Sequence, residues 1–200
     1  ISLVAFVVAV ATPGAGIGTA GFFLLLMLAS FFVGSRQALA LSLFFLALTT
    51  APLVSPLFRN WPYRLLVPLI VYFLIALLVP KLRSTLSWLR PGHLGKDILV
   101  LVAATAVLSG MALYLWYYAL RPDLSLHLAY MPAVPFWTYP FLGLGFAFLN
   151  AAMEETAFRG IVMQSTDSAF GPGALSLLLQ AGVFGALHFL QGFPRGAWGF

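Results

Sequence analysis

The 200 residues of this chain are 62% hydrophobic and only 8% charged, and their mean hydropathy is +1.02. A soluble domain of this size cannot hide so much apolar surface, because much of any folded surface faces solvent, whereas a bundle surrounded by lipid has no such need. The net charge of +5 comes from basic residues scattered between apolar runs, a pattern typical of membrane-flanking cations that argues against a nucleic-acid partner.

Apolar stretches of membrane-spanning length recur along the chain, since a helix needs about 20 mostly apolar residues to cross the hydrocarbon core. The predicted spans are Ile17–Val33, Ala38–Val54, Leu65–Val79, Ile98–Leu120, Phe136 to about Gln164, and Ala174–Leu190. Prolines and glycines fall between them, where they break helices. The sequence therefore predicts an all-α fold, a polytopic transmembrane helix bundle of about six or more spans. Residues 1–200 are expected to form a single membrane-embedded domain.

Both ends of the chain fall in apolar segments, so we expect a fragment truncated at both ends, with Ala197–Phe200 opening a further span. The most basic predicted loop, Lys81–Lys96, is expected on the cytoplasmic side, because cytoplasmic loops carry an excess of Lys and Arg. Counting spans from that loop places the turn near Asp167 on the same side. The protein is thus predicted to be integral to a membrane, of the bacterial cytoplasmic type.

Two of the five acidic residues stand out by their position. Asp97, Asp123 and Asp167 lie in or beside predicted loops, where a solvated charge is expected. Glu154 and Glu155 instead lie within an apolar predicted helix. A charge at the centre of a bilayer costs about 2.5 to 3.5 kcal/mol on insertion scales, so such residues usually face a polar cavity and serve a function there.

Helical geometry assigns the two glutamates different roles. Consecutive residues point about 100° apart, so the two carboxylates cannot share one face. Glu155 and Arg159 are four residues apart and are predicted to form an ion pair. Glu154 has Phe158 at the corresponding position, which leaves its carboxylate available as a general base for a water molecule. Asn150 lies on the same face as Glu154 and is a candidate for substrate contact or for supporting the site.

The following helix supplies a partner for Glu154. His188 lies one turn after Phe184 on the same helical face, and Phe184 is a candidate for substrate or supporting contact. Residues Glu154 and His188 are roughly 20 and 24 Å along their helices from the intervening turn, so two antiparallel helices would bring them to a similar depth. If a divalent ion such as zinc is bound, these two side chains are its candidate ligands. Catalytic zinc usually has three protein ligands.

The pattern Glu154-Glu155-x-x-x-Arg159 followed by Phe184-x-x-x-His188 resembles the first two motifs of the CPBP family. These are the CAAX-protease and bacteriocin-processing (Abi) proteins, intramembrane glutamic endopeptidases related to the type II CAAX prenyl endopeptidases. The resemblance identifies residues 136–191 as a helix pair that carries both motifs. A later motif of the family, His-x-x-x-Asn or His-x-x-x-Asp, is expected beyond residue 200.

The resemblance implies a role for each matched residue. Glu154 would activate the attacking water, and Glu155 with Arg159 would support and orient it. His188 would stabilise the oxyanion or hold the water together with Glu154. The resemblance also implies membrane lipids and a membrane-anchored or lipidated protein or peptide as partners, with no cofactor required.

Less specific interpretations of the same residues remain open. Glu155 and Arg159 could be a structural ion pair, and His188 a hydrogen-bonded packing residue. Phe184 could be core or lipid-facing filling, and Asn150 could cap or bridge helices. The chain could then be a non-catalytic membrane scaffold or immunity protein, or a transporter that carries ions or protons past its charged residues. The inverted repeats common in transporters are not seen in the sequence.

Overall fold

The computed structural model describes residues 16–89, 92, 95–125 and 133–191, and the regular structure within these ranges is helical throughout. The helices are α1 (Gly16–Val33), α2 (Arg36–Val54), α3 (Tyr63–Leu78), α4 (Pro80–Arg83), α5 (Lys96–Leu120), α6 (Tyr139–Glu154), a π-helix (Glu155–Met163), α7 (Gln164–Phe170) and α8 (Ala174–Gln191). Short 3₁₀ turns occupy Pro56–Arg59, Ser84–Leu89 and Phe136–Thr138. The all-α prediction is confirmed for the described ranges.

Fewer helices than predicted have the length and composition of a membrane span. Within the described ranges α1, α2 and α5 meet both conditions, and α3 adds a fourth if it is joined to the bent segment Pro80–Leu89. The prediction of about six or more spans is therefore not confirmed. The predicted fifth span changes from α- to π-helix at Glu155. The apolar part of α8, Ala174–Phe189, is shorter than the three helices of membrane length. Ala197–Phe200 lies outside the described residues.

The described residues divide into two compact units. One unit contains the described residues up to 89 together with those from 145 onward, and the other contains those of 90–144. Every residue that is a candidate for the functional site belongs to the first unit. In the second unit, α5 buries none of its side chains. A helix that is apolar all round and unburied is consistent with lipid as its surroundings.

Residues 80–89 correct the prediction of a loop beginning at Lys81. They continue as α4 and a 3₁₀ turn, which together bend by 114° away from α3. Pro80 explains the break, because the residue before a proline avoids the α conformation, and Val79 has extended backbone angles. A proline is nevertheless well suited to the first turn of a new helix. The bend directs Trp88 toward the π-helix.

Aromatic rings fill the core of the first unit, where α1, α2, α3 and the π-helix pack together. The ring centroids of Phe23 and Phe45 are 5.2 Å apart, and those of Phe44 and Tyr72 are 6.3 Å apart. The π-helix contributes Ile161 and Val162, whose side chains are fully buried. The inner face of the π-helix is therefore anchored in the core.

The two motif-bearing segments are joined by a tight turn. The helical run from Tyr139 ends at Phe170, and Gly171 follows with a φ of 82°, a conformation that favours glycine. Helix α8 then returns alongside the π-helix and α7. Across the turn, the buried Ser176 hydroxyl donates a hydrogen bond of 2.6 Å to Thr166. This connection fixes the antiparallel arrangement that the sequence analysis assumed.

Candidate active site

Glu154 stands where the helix changes its winding. It is the last residue of α6, and the π-helix begins at Glu155. Single π-helical turns inside longer helices are rare overall, but many of those that occur lie at functional sites. Gly160, in the π-helix, lies so close to the indole of Trp88 that a Cβ atom there would come within 2.6 Å of the ring. This packing therefore requires glycine at position 160.

The predicted ion pair between Glu155 and Arg159 is present. Arg159 Nε lies 3.1 Å from Glu155 Oε2, and the two side chains remain 70% and 54% exposed respectively. The pair thus points away from the packed interior of its unit. It is separate from the Glu154 carboxylate, as the helical geometry predicted.

Glu154 and His188 meet across two antiparallel segments. Glu154 Oε1 lies 3.8 Å from His188 Nε2, and the side chains are 27% and 24% exposed. The distance is too long for a direct hydrogen bond. Two atoms separated by 3.8 Å can, however, both lie about 2.8 Å from one water oxygen. These side chains therefore come from adjacent helical segments and lie close enough for one water molecule to bridge them.

The orientation of the His188 ring is fixed from its own helix. Nδ1 lies 3.0 Å from the backbone oxygen of Phe184. A carbonyl oxygen can only accept, so this hydrogen bond requires a proton on Nδ1. In the neutral imidazole, Nε2 is then an acceptor that faces Glu154.

Two aromatic rings support His188. The Phe184 ring is tilted against the imidazole with centroids 4.0 Å apart, and Phe158 meets Phe184 edge-on at 5.0 Å. Phe184 is therefore a neighbour of the candidate catalytic histidine. Phe158 was not among the predicted site residues, since only its lack of a positive charge near Glu154 was considered. Its position four residues after Glu154 could have identified it as a neighbour of the site, since residues at that spacing share a helical face.

Asn150 is tied to a segment far away in the sequence. The indole Nε1 of Trp61 donates a hydrogen bond of 2.9 Å to Asn150 Oδ1. The Trp61 ring also lies 4.4 Å from that of Phe146, one turn before Asn150. Trp61 and Trp88 were not predicted as neighbours of the site, because no local spacing relates them to residues of the motif helices. The contact agrees with the bridging interpretation of Asn150, and its predicted contact with substrate stays a prediction.

The described residues contain no group of three or more His, Asp or Glu side chains arranged to hold a metal ion. Glu154 and His188 together provide two of the three protein ligands that a catalytic zinc usually has. A divalent ion at this position would need a further ligand, and its presence stays an open prediction.

Comparison with known families supports the assignment of the motif helices. The family model for the type II CAAX prenyl endopeptidase Rce1-like proteins matches residues 135–200, a range that includes Glu154, Glu155, Arg159, Phe184 and His188. Comparisons with curated proteins and with solved structures give no match. The resemblance inferred from the two motifs is thereby confirmed for residues 135–200, which match a membrane-embedded protease family, the Rce1-like type II CAAX prenyl endopeptidases.

Proposed function

We propose that this chain is an intramembrane endopeptidase that hydrolyses a peptide bond in a membrane-anchored or lipidated protein by means of a water activated by Glu154. The observation that carries the proposal is the 3.8 Å approach of Glu154 to His188 across two helical segments. A half-buried carboxylate beside an oriented imidazole is an arrangement suited to general-base chemistry. The match of residues 135–200 to a protease family supports this reaction class.

The proposed reaction needs one proton acceptor and one water. Glu154 accepts a proton from the water while the water oxygen attacks the carbonyl carbon of the scissile bond. The carbon–nitrogen bond then breaks, and the proton held by Glu154 passes to the leaving nitrogen. The products are a new carboxyl group and a new amine, so the step is a balanced hydrolysis.

The proposed role of His188 follows from its hydrogen bond to Phe184. Because Nδ1 donates to that carbonyl, the neutral ring has an acceptor at Nε2 and can take one hydrogen of the water. The second hydrogen is directed to Glu154. Of the two roles implied by the family resemblance, holding the water therefore fits the neutral imidazole better than stabilising an oxyanion.

Two alternatives account less well for the site. An ion or proton relay would use Glu154 and His188 as a chain of titratable groups, but it gives no reason for the family match with proteases. A catalytically silent scaffold would need neither the oriented imidazole nor the nearby carboxylate. A divalent ion bound by the two side chains would change the way in which the water is activated but would leave the reaction class unchanged.

The test uses the full-length protein in detergent or proteoliposomes and an internally quenched peptide with a farnesylated cysteine followed by three residues. We expect Glu154→Gln to abolish cleavage, because it keeps the shape of the side chain but removes the base. His188→Ala should lower kcat by about 10²- to 10⁴-fold, the usual contribution of one proton-transfer or water-orienting group. Asp97→Asn, an exposed carboxylate outside the site, is the matched control and should cleave normally.

Normal cleavage by both Glu154→Gln and His188→Ala would contradict the peptidase proposal and favour the scaffold. Each variant should melt at a temperature close to that of the wild type, so that loss of activity is not loss of fold. Repeating the assay with EDTA, and then with added zinc, separates the two forms of the mechanism. Activity that is lost and then restored would identify a metal-assisted reaction.

A further inference from the structure

The motif-bearing helical run contains about one residue more than an α-helix would place between its buried positions. Met153, Ile161 and Val162 belong to the same apolar core. Two turns of an α-helix contain about seven residues, yet Met153 precedes Ile161 by eight positions and Val162 by nine. The π-helix between them accounts for the surplus, because π-helical hydrogen bonds join residues i and i+5 rather than i and i+4.

Contacts on both sides of the surplus hold the run in place. On the upstream side, the Met153 side chain is buried, and Asn150 accepts a hydrogen bond of 2.9 Å from Trp61. On the downstream side, Gly160 lies so close to Trp88 that a Cβ atom there would come within 2.6 Å of the ring. Neither end of the run can rotate to remove the extra residue unless one of these contacts breaks.

Winding the same run as a continuous α-helix would change which glutamate meets His188. If the core contacts of Ile161 are kept, the place of each residue before the π-helix is taken by the residue that follows it, a rotation of about 100°. Glu154 would enter the buried place of Met153, where an unpaired carboxylate is costly. Glu155 would take the position from which Glu154 now approaches His188 to 3.8 Å.

We propose that the π-helix is the positioning element of the site, whose extra residue sets Glu154 rather than Glu155 opposite His188. The inference deepens the proposed peptidase function and rests on it only in naming Glu154 as the base. The same winding leaves Glu155 exposed and paired with Arg159. The two adjacent carboxylates thus keep separate roles because the helix changes its winding directly after the first of them.

Cross-linking of the full-length protein tests the winding without requiring catalysis. Residues 1–200 contain no cysteine, so pairs of cysteines can be introduced at chosen positions. A short bifunctional thiol reagent should join the pair Glu154→Cys/His188→Cys in membranes and should not join Glu155→Cys/His188→Cys. A continuous α-helix predicts the reverse, so cross-linking of the second pair in preference to the first would overturn the proposal.

Deleting one residue on either side of the two glutamates gives a matched pair of variants. Deletion of Thr156 removes the surplus residue within the π-helix, so position 154 should still cross-link to position 188. Deletion of Ala151 removes one residue before the glutamates instead. The run then regains α winding only if the glutamates advance, so cross-linking should pass to position 155. The Ala151 deletion also carries Glu154→Met in this measurement, so that no charge enters the core place of Met153.

The kinetic readout uses the farnesylated quenched peptide. In the Thr156 deletion, Glu154→Gln should abolish cleavage as it does in the undeleted protein. In the Ala151 deletion with Glu154→Met, Glu155 should serve as the base, so adding Glu155→Gln should lower kcat by at least about 10²-fold. If Glu154→Met inactivates an otherwise active Ala151 deletion, Glu154 is still the base there and the proposal falls. A purely structural role of the π-helix would not move the base from one glutamate to the other.

Failure of this inference can be told apart from failure of the proposed function. If the wild type does not cleave the probe but the cross-links form as expected, the peptidase function has failed and the winding stands. If Glu154→Gln abolishes cleavage but the Thr156 deletion cross-links through position 155, the base stands and the winding proposal falls. If either deletion protein does not fold, the two undeleted cysteine pairs decide.

Discussion

Glu154 and Glu155 are adjacent in the sequence but have different neighbours. The Glu154 carboxylate is the more enclosed of the two and faces His188, whereas Glu155 is 54% exposed and pairs with Arg159. The difference arises because successive helical residues diverge by about 100°. An adjacent pair of carboxylates can thus supply one group for chemistry and a second, already neutralised, group on the outer side of the helix.

The exposed Glu155–Arg159 pair leads to a prediction about stability. Arg159→Ala leaves Glu155 alone, and a lone charge at membrane depth costs about 2.5 to 3.5 kcal/mol. We expect Arg159→Ala to lower the melting temperature in lipid nanodiscs. The double variant Glu155→Ala/Arg159→Ala should melt close to the wild type, because it removes both charges together.

Equal melting temperatures for the single and double variants would contradict this prediction. That result would mean that the pair faces water, where an exposed ion pair contributes only about 0 to 1 kcal/mol. Asp97→Asn again serves as the control for the loss of one exposed carboxylate elsewhere in the chain.

At the scale of the element, the π-helix depends on the bent segment that packs against it. Trp88 of the bent segment covers Gly160. Ser87, which belongs to the same bent segment, accepts a hydrogen bond of 2.7 Å from the Gln164 side chain. The core residues Ile161 and Val162 hold the other side of the π-helix. The segment that follows Glu154 is therefore held from two directions.

Gly160→Ala is expected to destabilise the protein, because the new methyl group would come within 2.6 Å of the Trp88 ring. Overpacking of this kind typically costs about 1 to 3 kcal/mol. A smaller side chain should relieve it, so Gly160→Ala/Trp88→Leu should melt at a higher temperature than Gly160→Ala. Thermal unfolding in detergent, followed by circular dichroism, measures both effects.

Gly182→Ala in α8 is the matched control for this substitution. Nothing lies within 4 Å of a Cβ built at Gly182 in the described structure, and alanine favours the helix by about 1 kcal/mol. It should be neutral or stabilising. A Gly160→Ala protein as stable as Gly182→Ala would show that Trp88 does not rest against the π-helix.

At the scale of the whole chain, contacts within the first unit show where the segments before and after α3 lie along the motif-bearing helical run. Trp61 contacts Asn150, whereas Ser87 contacts Gln164, which is 14 positions further along the same helical run. A separation of 14 residues corresponds to roughly 21 Å along a helix. The segments near Trp61 and Ser87 therefore lie toward opposite ends of this run.

This order gives a topology prediction that is simple to measure, because the chain contains no cysteine. Single cysteines replacing the exposed residues Ser84 and Ser168 should be labelled from the same side of the membrane by an impermeant maleimide. A cysteine replacing the exposed Asn60 should be labelled from the opposite side. The excess of basic residues near Lys81 predicts that the Ser84 side is cytoplasmic.

The cysteine-free protein controls for non-specific labelling. Labelling of Ser84→Cys and Asn60→Cys from the same side would show that α3 does not cross the membrane and would contradict the prediction. It would indicate that the bent pair of α3 and Pro80–Leu89 enters and leaves on one side.

The sequence was sufficient for the helical fold, the membrane environment and the helix pair that carries the candidate site. These follow from local properties of the sequence. Long apolar runs indicate helices in lipid, and the spacing of Glu154, Glu155 and Arg159 determines which face of the helix each side chain occupies. Similar distances of Glu154 and His188 from the Gly171 turn predicted their meeting. The predicted number of spans is not confirmed within the described residues, because a run of apolar residues does not show where a helix bends or changes its winding.

Only the tertiary structure decided how the motif residues are held. Trp61 is 89 positions from Asn150 in the chain, and Trp88 reaches Gly160 only because α3 ends at Leu78 and the chain turns by 114°. The direction of the His188 ring likewise depends on a rotamer that brings Nδ1 to the Phe184 carbonyl. Contacts of this kind join residues without any regular spacing in the sequence, so periodicity cannot reveal them, whereas packing and hydrogen-bond geometry can.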